Sequence, residues 1–272
     1  MHSQCPLELR RHGRSGPSVV VLHGGPGAPG AAAGLARGLG ARFRVLEPFQ
    51  RRADDRPLSV ARHVADLLAV LDADLPGQRP AIVGHSWGAM LALAFVAAHP
   101  GRAGALALVG CGTFDLQARA ELNRRIQARI TPATRAGLDA LANASADADQ
   151  ALASMGALIQ PLYSHDLLPN TEPALGPCDA RGHREAWDDM IRLQTQGDYP
   201  AAFGAYEGPV LMLHGDRDPH PGAMIRASLL PWLPQLAYRE LACCGHYPWR
   251  ERQAQAGFFR ELEGWLCEHV PG

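Results

Sequence analysis

Short, almost continuously apolar runs alternate with longer helical patterns over the first 112 residues of the chain. The runs are rich in β-branched residues, as is typical of strands in a parallel sheet covered on both faces. Between them, 59–75 shows a single apolar stripe behind Ser59, a favourable N-cap residue, and predicts an amphipathic helix. The stretch 87–100 is apolar almost all round, as expected for a helix between a sheet and another layer. The predicted strands lie at 18–24, 43–49, 79–84 and 103–110.

The strand pattern is interrupted from about 113 to 206, where only helical patterns occur. Thr131 with Pro132 is a helix start signal in this stretch, and Gly197 is a stop signal. Strand-like runs then return at 209–215 and 235–242, followed by a last helical pattern near 254–268.

This order of elements predicts an α/β fold with a mostly parallel central sheet and helices on both faces. We expect residues 1–114 and 207–272 to form that core. Residues 115–206 are expected to form a helical cap inserted in the core, above the carboxyl edge of the sheet where ligands of such folds bind.

Composition narrows the possible partners. With 47% hydrophobic residues, 19% charged residues and a formal net charge of −1, the chain predicts a globular protein without a field that recruits nucleic acid or a membrane surface. The N-terminus lacks the apolar centre of a signal peptide and no long apolar span occurs, so we expect a cytoplasmic protein. The six cysteines form no CxxC pair and HExxH is absent, so no metal and no cofactor is expected. The expected partner is a small molecule or short peptide; oligomeric state stays open.

A glycine-rich stretch at 19–34 can be interpreted in two ways. Gly25-x-Gly27-x-x-Gly30 follows an apolar run, and Glu47 stands where a dinucleotide fold would place its ribose-binding acid. The same letters spell His-Gly-Gly-Pro-Gly, a loop whose backbone N–H groups could face an oxyanion.

The most specific motif is Gly84-His85-Ser86-Trp87-Gly88, which lies between a predicted strand and a predicted helix. In a G-x-S-x-G turn the serine adopts a strained backbone conformation that exposes its hydroxyl, and the two outer glycines avoid clashes with the neighbouring strand and helix. Ser86 is therefore the predicted nucleophile.

A nucleophilic serine needs a base and an orienting acid. Of the 12 histidines, His246 follows the last strand and precedes the last helix, next to Gly245. The acid is predicted to be Asp218, two residues farther from the end of its strand than Asp216, with Asp115 as a third choice. The order Ser86, Asp218, His246 is that of serine hydrolases with a G-x-S-x-G turn.

These residues decide between the two interpretations of the glycine-rich stretch. Pro26 and Pro29 each remove an N–H from the turn that would hold a pyrophosphate, and a dehydrogenase would leave the serine, acid and histidine unexplained. We therefore expect an oxyanion hole made by the N–H groups of Gly25 and Trp87.

The motifs HGGPG, GHSWG, GDRDP and CGHYPW together resemble the α/β-hydrolase superfamily, specifically its prolyl aminopeptidases. The resemblance covers about residues 18–114 and 207–268. It implies a triad of Ser86, Asp218 and His246 and an oxyanion loop at Gly24 and Gly25. His85 stands where that branch commonly has glycine, as in many esterases and lactonases, and the branch's motif after its next strand is replaced at 48–53.

The function expected from this resemblance is a prolyl-aminopeptidase-like peptidase that forms an acyl-enzyme and releases an N-terminal residue. The alternatives are a carboxylesterase, lactonase or thioesterase with the same triad, and a non-catalytic ligand-binding protein of the same fold. A peptidase of this kind needs an acidic site for the substrate ammonium, for which the candidates are Asp166, Glu172, Glu185, Asp188 and Asp189. The predicted substrate-binding residues are Gly24, His85, Glu172, Trp187, His220 and Tyr247.

Overall fold

A seven-stranded sheet forms the centre of the described part of the chain, which comprises residues 7–144, 147–169 and 177–270 of a computed structural model. The sheet order is β1-β3-β2-β4-β5-β6-β7; β1 is antiparallel to β3 and every other neighbouring pair is parallel. This confirms the predicted mostly parallel α/β sheet. The strands are Leu9–His12 (β1), Ser18–Leu22 (β2), Arg44–Pro48 (β3), Ala81–His85 (β4), Ala105–Val109 (β5), Val210–Gly215 (β6) and Leu236–Leu241 (β7).

Helices cover both faces of the sheet. One face packs against α1 and α9, and the other against α2, α3 and α8. The helices are Ala33–Leu39 (α1), Val60–Asp74 (α2), Trp87–Ala98 (α3), Leu116–Arg129 (α4), Pro132–Asn143 (α5), Ala148–Ile159 (α6), Ala180–Thr195 (α7), Gly222–Leu229 (α8) and Gln255–His269 (α9).

The apolar strands supply both layers of the core, because successive side chains of a strand point to opposite faces. In β2, Val19 and Val21 pack towards α1 and α9, whereas Val20 and Leu22 pack towards α2 and α3. Helix α3 is buried over ten consecutive residues, as its all-round apolar pattern predicts. Ser59 caps α2 by accepting a hydrogen bond from the N–H of Arg62.

The sequence pattern did not reveal β1, α1 or α8. Strand β1 consists largely of polar residues and pairs at the edge of the sheet. Its Arg10 donates two hydrogen bonds, of 3.0 and 2.8 Å, to the buried carboxylate of Glu47. Glu47, the acid that the dinucleotide alternative required, is thus enclosed in the sheet and paired to Arg10 and His12.

Helices α4 to α7 occupy the chain between β5 and β6. The described residues of this segment contain no strand, and their β-pairing is limited to an isolated bridge between Leu167 and Glu251. The observed helices agree with the helical pattern of 115–206, and the division into a core and an inserted cap stays a prediction.

Membrane-spanning helices were sought in the same residues. None of the helices described combines the length and the apolar character that a bilayer crossing requires.

Candidate active site

The candidate active site lies at the carboxyl edge of the sheet. Because the central strands are parallel, the loops that follow β2, β3, β4, β6 and β7 all emerge at this edge. These loops carry Gly24 and Gly25, Gln50, Ser86, Asp218 and His246 respectively.

Ser86 occupies a sharp turn between β4 and α3. Its φ of 54° and ψ of −119° lie outside the conformations that residues with a side chain commonly adopt. The turn closes tightly: a Cβ at Gly84 would lie 2.3 Å from the Gly88 carbonyl oxygen, and one at Gly88 would lie 2.3 Å from that of Leu22. The two glycines are therefore a steric requirement of this turn.

His246 is held by Asp218. The Nδ1 of His246 lies 2.7 Å from Oδ2 of Asp218, and both side chains are buried. Asp216 instead accepts a hydrogen bond from the N–H of Cys244, and Asp115 caps α4 by accepting from the N–H of Ala118. Of the three acids considered from the sequence, Asp218 is the one paired with the histidine.

The imidazole of His246 packs on the end of β5. Gly110 follows this strand with a φ of 53°, and a Cβ there would lie 3.0 Å from Nδ1 of His246. A side chain at this position would displace the ring from Asp218, so Gly110 contributes to the site although the motifs did not identify it.

Asp218 is surrounded by imidazoles. Burial alone would raise the pKa of its carboxyl, but electrostatic interaction with His246, followed by His220 and His214, and a hydrogen bond from His220 hold that pKa well below its usual range. The carboxylate is thus kept ionised and can orient the ring of His246.

The loop after β2 is braced by Gln50, which sequence reasoning missed. The Gln50 side chain donates to the His23 carbonyl oxygen (2.8 Å) and accepts from the indole N–H of Trp87 (2.8 Å). Its backbone N–H donates to Nε2 of His23, leaving Nδ1 of that ring to donate to the Gly24 carbonyl oxygen. Gln50 therefore ties the glycine loop to the first residue of α3.

The two predicted oxyanion donors lie on the elements that Gln50 joins. Trp87 begins α3, so its N–H has no acceptor within the helix. The N–H of Gly25 makes no backbone hydrogen bond within the described residues. Gly24 is close to the Ser86 turn, because a Cβ at Gly24 would lie 3.2 Å from Cβ of Ser86.

Two of the predicted substrate-binding residues pack beside the His246 loop. His85 is buried, its Nε2 lies 2.9 Å from the carbonyl oxygen of His246, and its ring meets Trp249 edge-on at 4.6 Å. Burial lowers the pKa of His85 well below its usual value, so the ring is neutral and donates from Nε2. The Tyr247 ring lies 5.2 Å from that of His246. These contacts brace the histidine.

The other predicted substrate-binding residues are spread around the edge. Trp187 on α7 packs against Trp87 with ring centroids 5.4 Å apart. The His220 ring is stacked on that of His246, 4.5 Å between centroids. Glu172 lies outside the described residues.

Three of the acids considered for an ammonium site have other partners, and Asp188 is exposed on α7. Glu185 accepts from the N–H of Leu58 (2.7 Å) and pairs with Arg181. Asp189 accepts from the N–H of Val60 (2.8 Å), and Asp166 pairs with Arg252.

Glu251 is a third residue that the motifs did not identify, after Gly110 and Gln50. It is completely buried, and its carboxylate accepts from the N–H groups of Gly245, His165 and Asp166 at 3.0, 3.0 and 2.7 Å. The N–H of His246 also donates to the Tyr163 carbonyl oxygen. The histidine loop is thus joined to residues 163–166 of the helical segment.

Among the described residues, one group has the donor types of a metal site: Asp218, His220 and His246, with one ligand atom each within 4.8 Å of the others. Hydrogen bonds from the two rings to the carboxylate account for this convergence.

Comparison with known proteins identifies the family. A model described as the alpha/beta hydrolase family matches residues 19–258. The chain belongs to this family. It is therefore an enzyme of the alpha/beta hydrolase family, and the seven-stranded sheet with its flanking helices is that fold.

Two curated relatives and one solved structure illustrate the similarity. The chain is 30% identical to the pimeloyl-[acyl-carrier protein] methyl ester esterase of Chromobacterium violaceum, over 94% of this chain and 94% of the relative. It is 26% identical to the 2-hydroxymuconate semialdehyde hydrolase of Pseudomonas putida, over 96% and 90%. The enol-lactonase structure from Burkholderia xenovorans LB400 shares the fold with a TM-score of 0.63 and 20% identity, covering 96% of each chain.

Proposed function

We propose that this alpha/beta hydrolase is a serine esterase that cleaves carboxylic esters, lactones included, through an acyl-enzyme on Ser86. The observation that carries the proposal is the buried pair of His246 and Asp218, 2.7 Å apart, at the same sheet edge as the strained Ser86 turn.

The reaction follows from the roles of these groups. Ser86 Oγ attacks the ester carbonyl carbon while His246 Nε2 takes the hydroxyl proton, and Asp218 stabilises the imidazolium that forms. The carbonyl oxygen becomes an oxyanion facing the N–H groups of Gly25 and Trp87. His246 then returns the proton to the departing alkoxide, and water releases the acid from Ser86 by the reverse sequence.

Two observations favour an ester over an N-terminal peptide bond. The relative that is 30% identical is named as a methyl ester esterase. The prolyl-aminopeptidase hypothesis requires a carboxylate for the substrate ammonium, and two of its candidates, Glu185 and Asp189, instead accept hydrogen bonds from the backbone at Leu58 and Val60, while Asp188 is exposed. The esterase alternative considered from the sequence is therefore the better supported one.

The test uses two substrates in parallel, p-nitrophenyl acetate and proline p-nitroanilide. We expect ester cleavage that falls by about 10³-fold or more in Ser86→Ala. Ser228→Ala is the matched control, because Ser228 lies on α8 and donates to the carbonyl of Ile225.

Three results would contradict the proposal. Cleavage of the anilide alone would restore the peptidase hypothesis. Ester cleavage that survives in Ser86→Ala would show that Ser86 is not the nucleophile. Absence of turnover on both substrates would favour a ligand-binding protein.

A further inference from the structure

The carboxylate of Asp218 is shared between His246 and a second imidazole. Oδ2 accepts from Nδ1 of His246 at 2.7 Å. Oδ1 accepts from both the backbone N–H of His220 (2.9 Å) and its Nδ1 (3.0 Å). A third ring, His214, brings Nε2 to 3.3 Å from Oδ2 and to 3.0 Å from the His220 carbonyl oxygen.

The contacts determine which nitrogen of each ring carries a proton. Nδ1 of His220 faces a carboxylate oxygen, so it carries the hydrogen. Burial lowers the pKa of His220, which keeps this ring neutral. The rings of His220 and His246 are stacked nearly parallel, with 14° between their planes, while each contacts a different oxygen of the carboxylate.

A carboxylate that accepts additional hydrogen bonds has less negative charge available for any one donor. If His220 did not donate to Oδ1, Asp218 would hold the proton of an imidazolium at His246 more strongly. A base that binds its proton more strongly is protonated over a wider range of acidic pH and is inactive there.

We propose that His220 is a positioning residue that shares the Asp218 carboxylate with His246 and thereby keeps His246 unprotonated at lower pH. The proposal rests on the proposed esterase function for its kinetic readout.

The other groups that face this cluster hold one charge state between about pH 5 and 8. Burial lowers the pKa of His214 to about 4 and that of His85 well below its usual value, and it raises the pKa of Tyr163 to about 12. Burial likewise raises the pKa of Tyr247 and of Cys244. Arg129, which donates to the carbonyls of Leu162 and Arg217, stays cationic.

Two variants separate the donor from the ring. His220→Phe keeps an aromatic ring against His246 but removes the Nδ1–H donor. His220→Asn removes the ring but retains an N–H near the place of Nδ1. We measure kcat/KM for p-nitrophenyl acetate from pH 4.5 to 8.5, and in parallel the imidazole NMR titration of His246, whose signal is assigned by its loss in His246→Asn.

We expect the acidic limb and the NMR midpoint of His220→Phe to move to higher pH by about half a unit or more. His220→Asn keeps both close to the wild-type positions, whatever its turnover. An unchanged midpoint in His220→Phe, or an equal shift in both variants, overturns the proposal.

The NMR titration distinguishes failure of this proposal from failure of the esterase function. If no ester is cleaved but the midpoint moves only in His220→Phe, the charge sharing stands and the esterase function does not. If esters are cleaved but the NMR midpoints of wild type and His220→Phe coincide, the esterase function stands and the charge sharing does not. Circular dichroism and thermal melting of each variant check that it folds.

Discussion

Gln50 joins the two sets of backbone amides expected to face the oxyanion. Its amide contacts the His23 carbonyl on one side and the Trp87 indole on the other. We predict that Gln50→Leu lowers kcat by roughly 10-fold or more with little change in KM, because donors that are slightly displaced stabilise the transition state less.

The matched control is Gln78→Leu. Gln78 accepts a hydrogen bond from Ser18 at the start of β2, the end of that strand away from Ser86. Steady-state ester kinetics of both variants check the prediction. Equal kcat values for the two would show that Gln50 has no part in the reaction.

At this scale the motifs predicted Ser86, Asp218 and His246 as catalytic residues, and these roles stay predictions. The acid could be chosen because the extra turn after β6 brings Asp218, and not Asp216, to His246. Gln50 and Glu251 could not be found, since their partners, which are backbone groups and, for Gln50, also the Trp87 indole, come close only after folding. A polar residue two positions after the end of a buried strand, as Gln50 is after β3, was the one available signal.

The element that most constrains the site is the turn between β4 and α3. Gly88 leaves no room for a side chain, because a Cβ would lie 2.3 Å from the carbonyl oxygen of Leu22 and 2.7 Å from that of His23. We predict that Gly88→Ala lowers the free energy of unfolding by about 1–3 kcal/mol, because the added methyl group overpacks against the backbone at the end of β2.

Urea denaturation of Gly88→Ala and Gly101→Ala gives the comparison. Gly101 has nothing within 4 Å of its added Cβ and serves as the control. Matching denaturation midpoints would mean that the helix can shift away from β2, contrary to the packing described.

Elements with a strong apolar period were predictable and those without it were not. Strands β2 to β6 and helices α2 and α3 show their burial in the sequence. Strand β1 is polar because it lies at the sheet edge and pairs Arg10 with Glu47, and α1 follows a glycine- and proline-rich loop that has no periodic pattern.

The molecule as a whole contains buried histidines whose titration opposes folding. Burial lowers the pKa of both His63 and His214 to about 4, from 6.5. Between pH 4 and 6.5 the unfolded chain therefore binds more protons than the folded protein. The contribution of the two neutral histidines to stability is complete above about pH 6.5 and is lost as the pH falls towards 4. Neither ring nitrogen of His63 has a hydrogen-bond partner in the described structure.

We predict that His63→Phe makes the unfolding free energy less dependent on pH over this range, by up to about 1.4 kcal/mol per pH unit. Phenylalanine keeps a ring beside Trp87 but does not titrate. Urea denaturation at pH 4.5, 5.5, 6.5 and 7.5 measures the slope, with His165→Gln at an exposed position as the control. An unaltered slope in His63→Phe would contradict the burial of a neutral ring.

The pairing of β5 with β6 has a consequence for how the protein is made. These neighbouring strands are separated in the chain by residues 110–209, so β5 leaves the ribosome long before its partner exists. During that interval the Ser86 turn can form while its proposed acid and base, Asp218 and His246, are unsynthesised. The wholly apolar β5 meanwhile presents an unpaired edge of the kind that aggregates. Yield in the cell should therefore depend on how quickly the chain from β6 onwards follows, and on chaperones that shield this edge meanwhile.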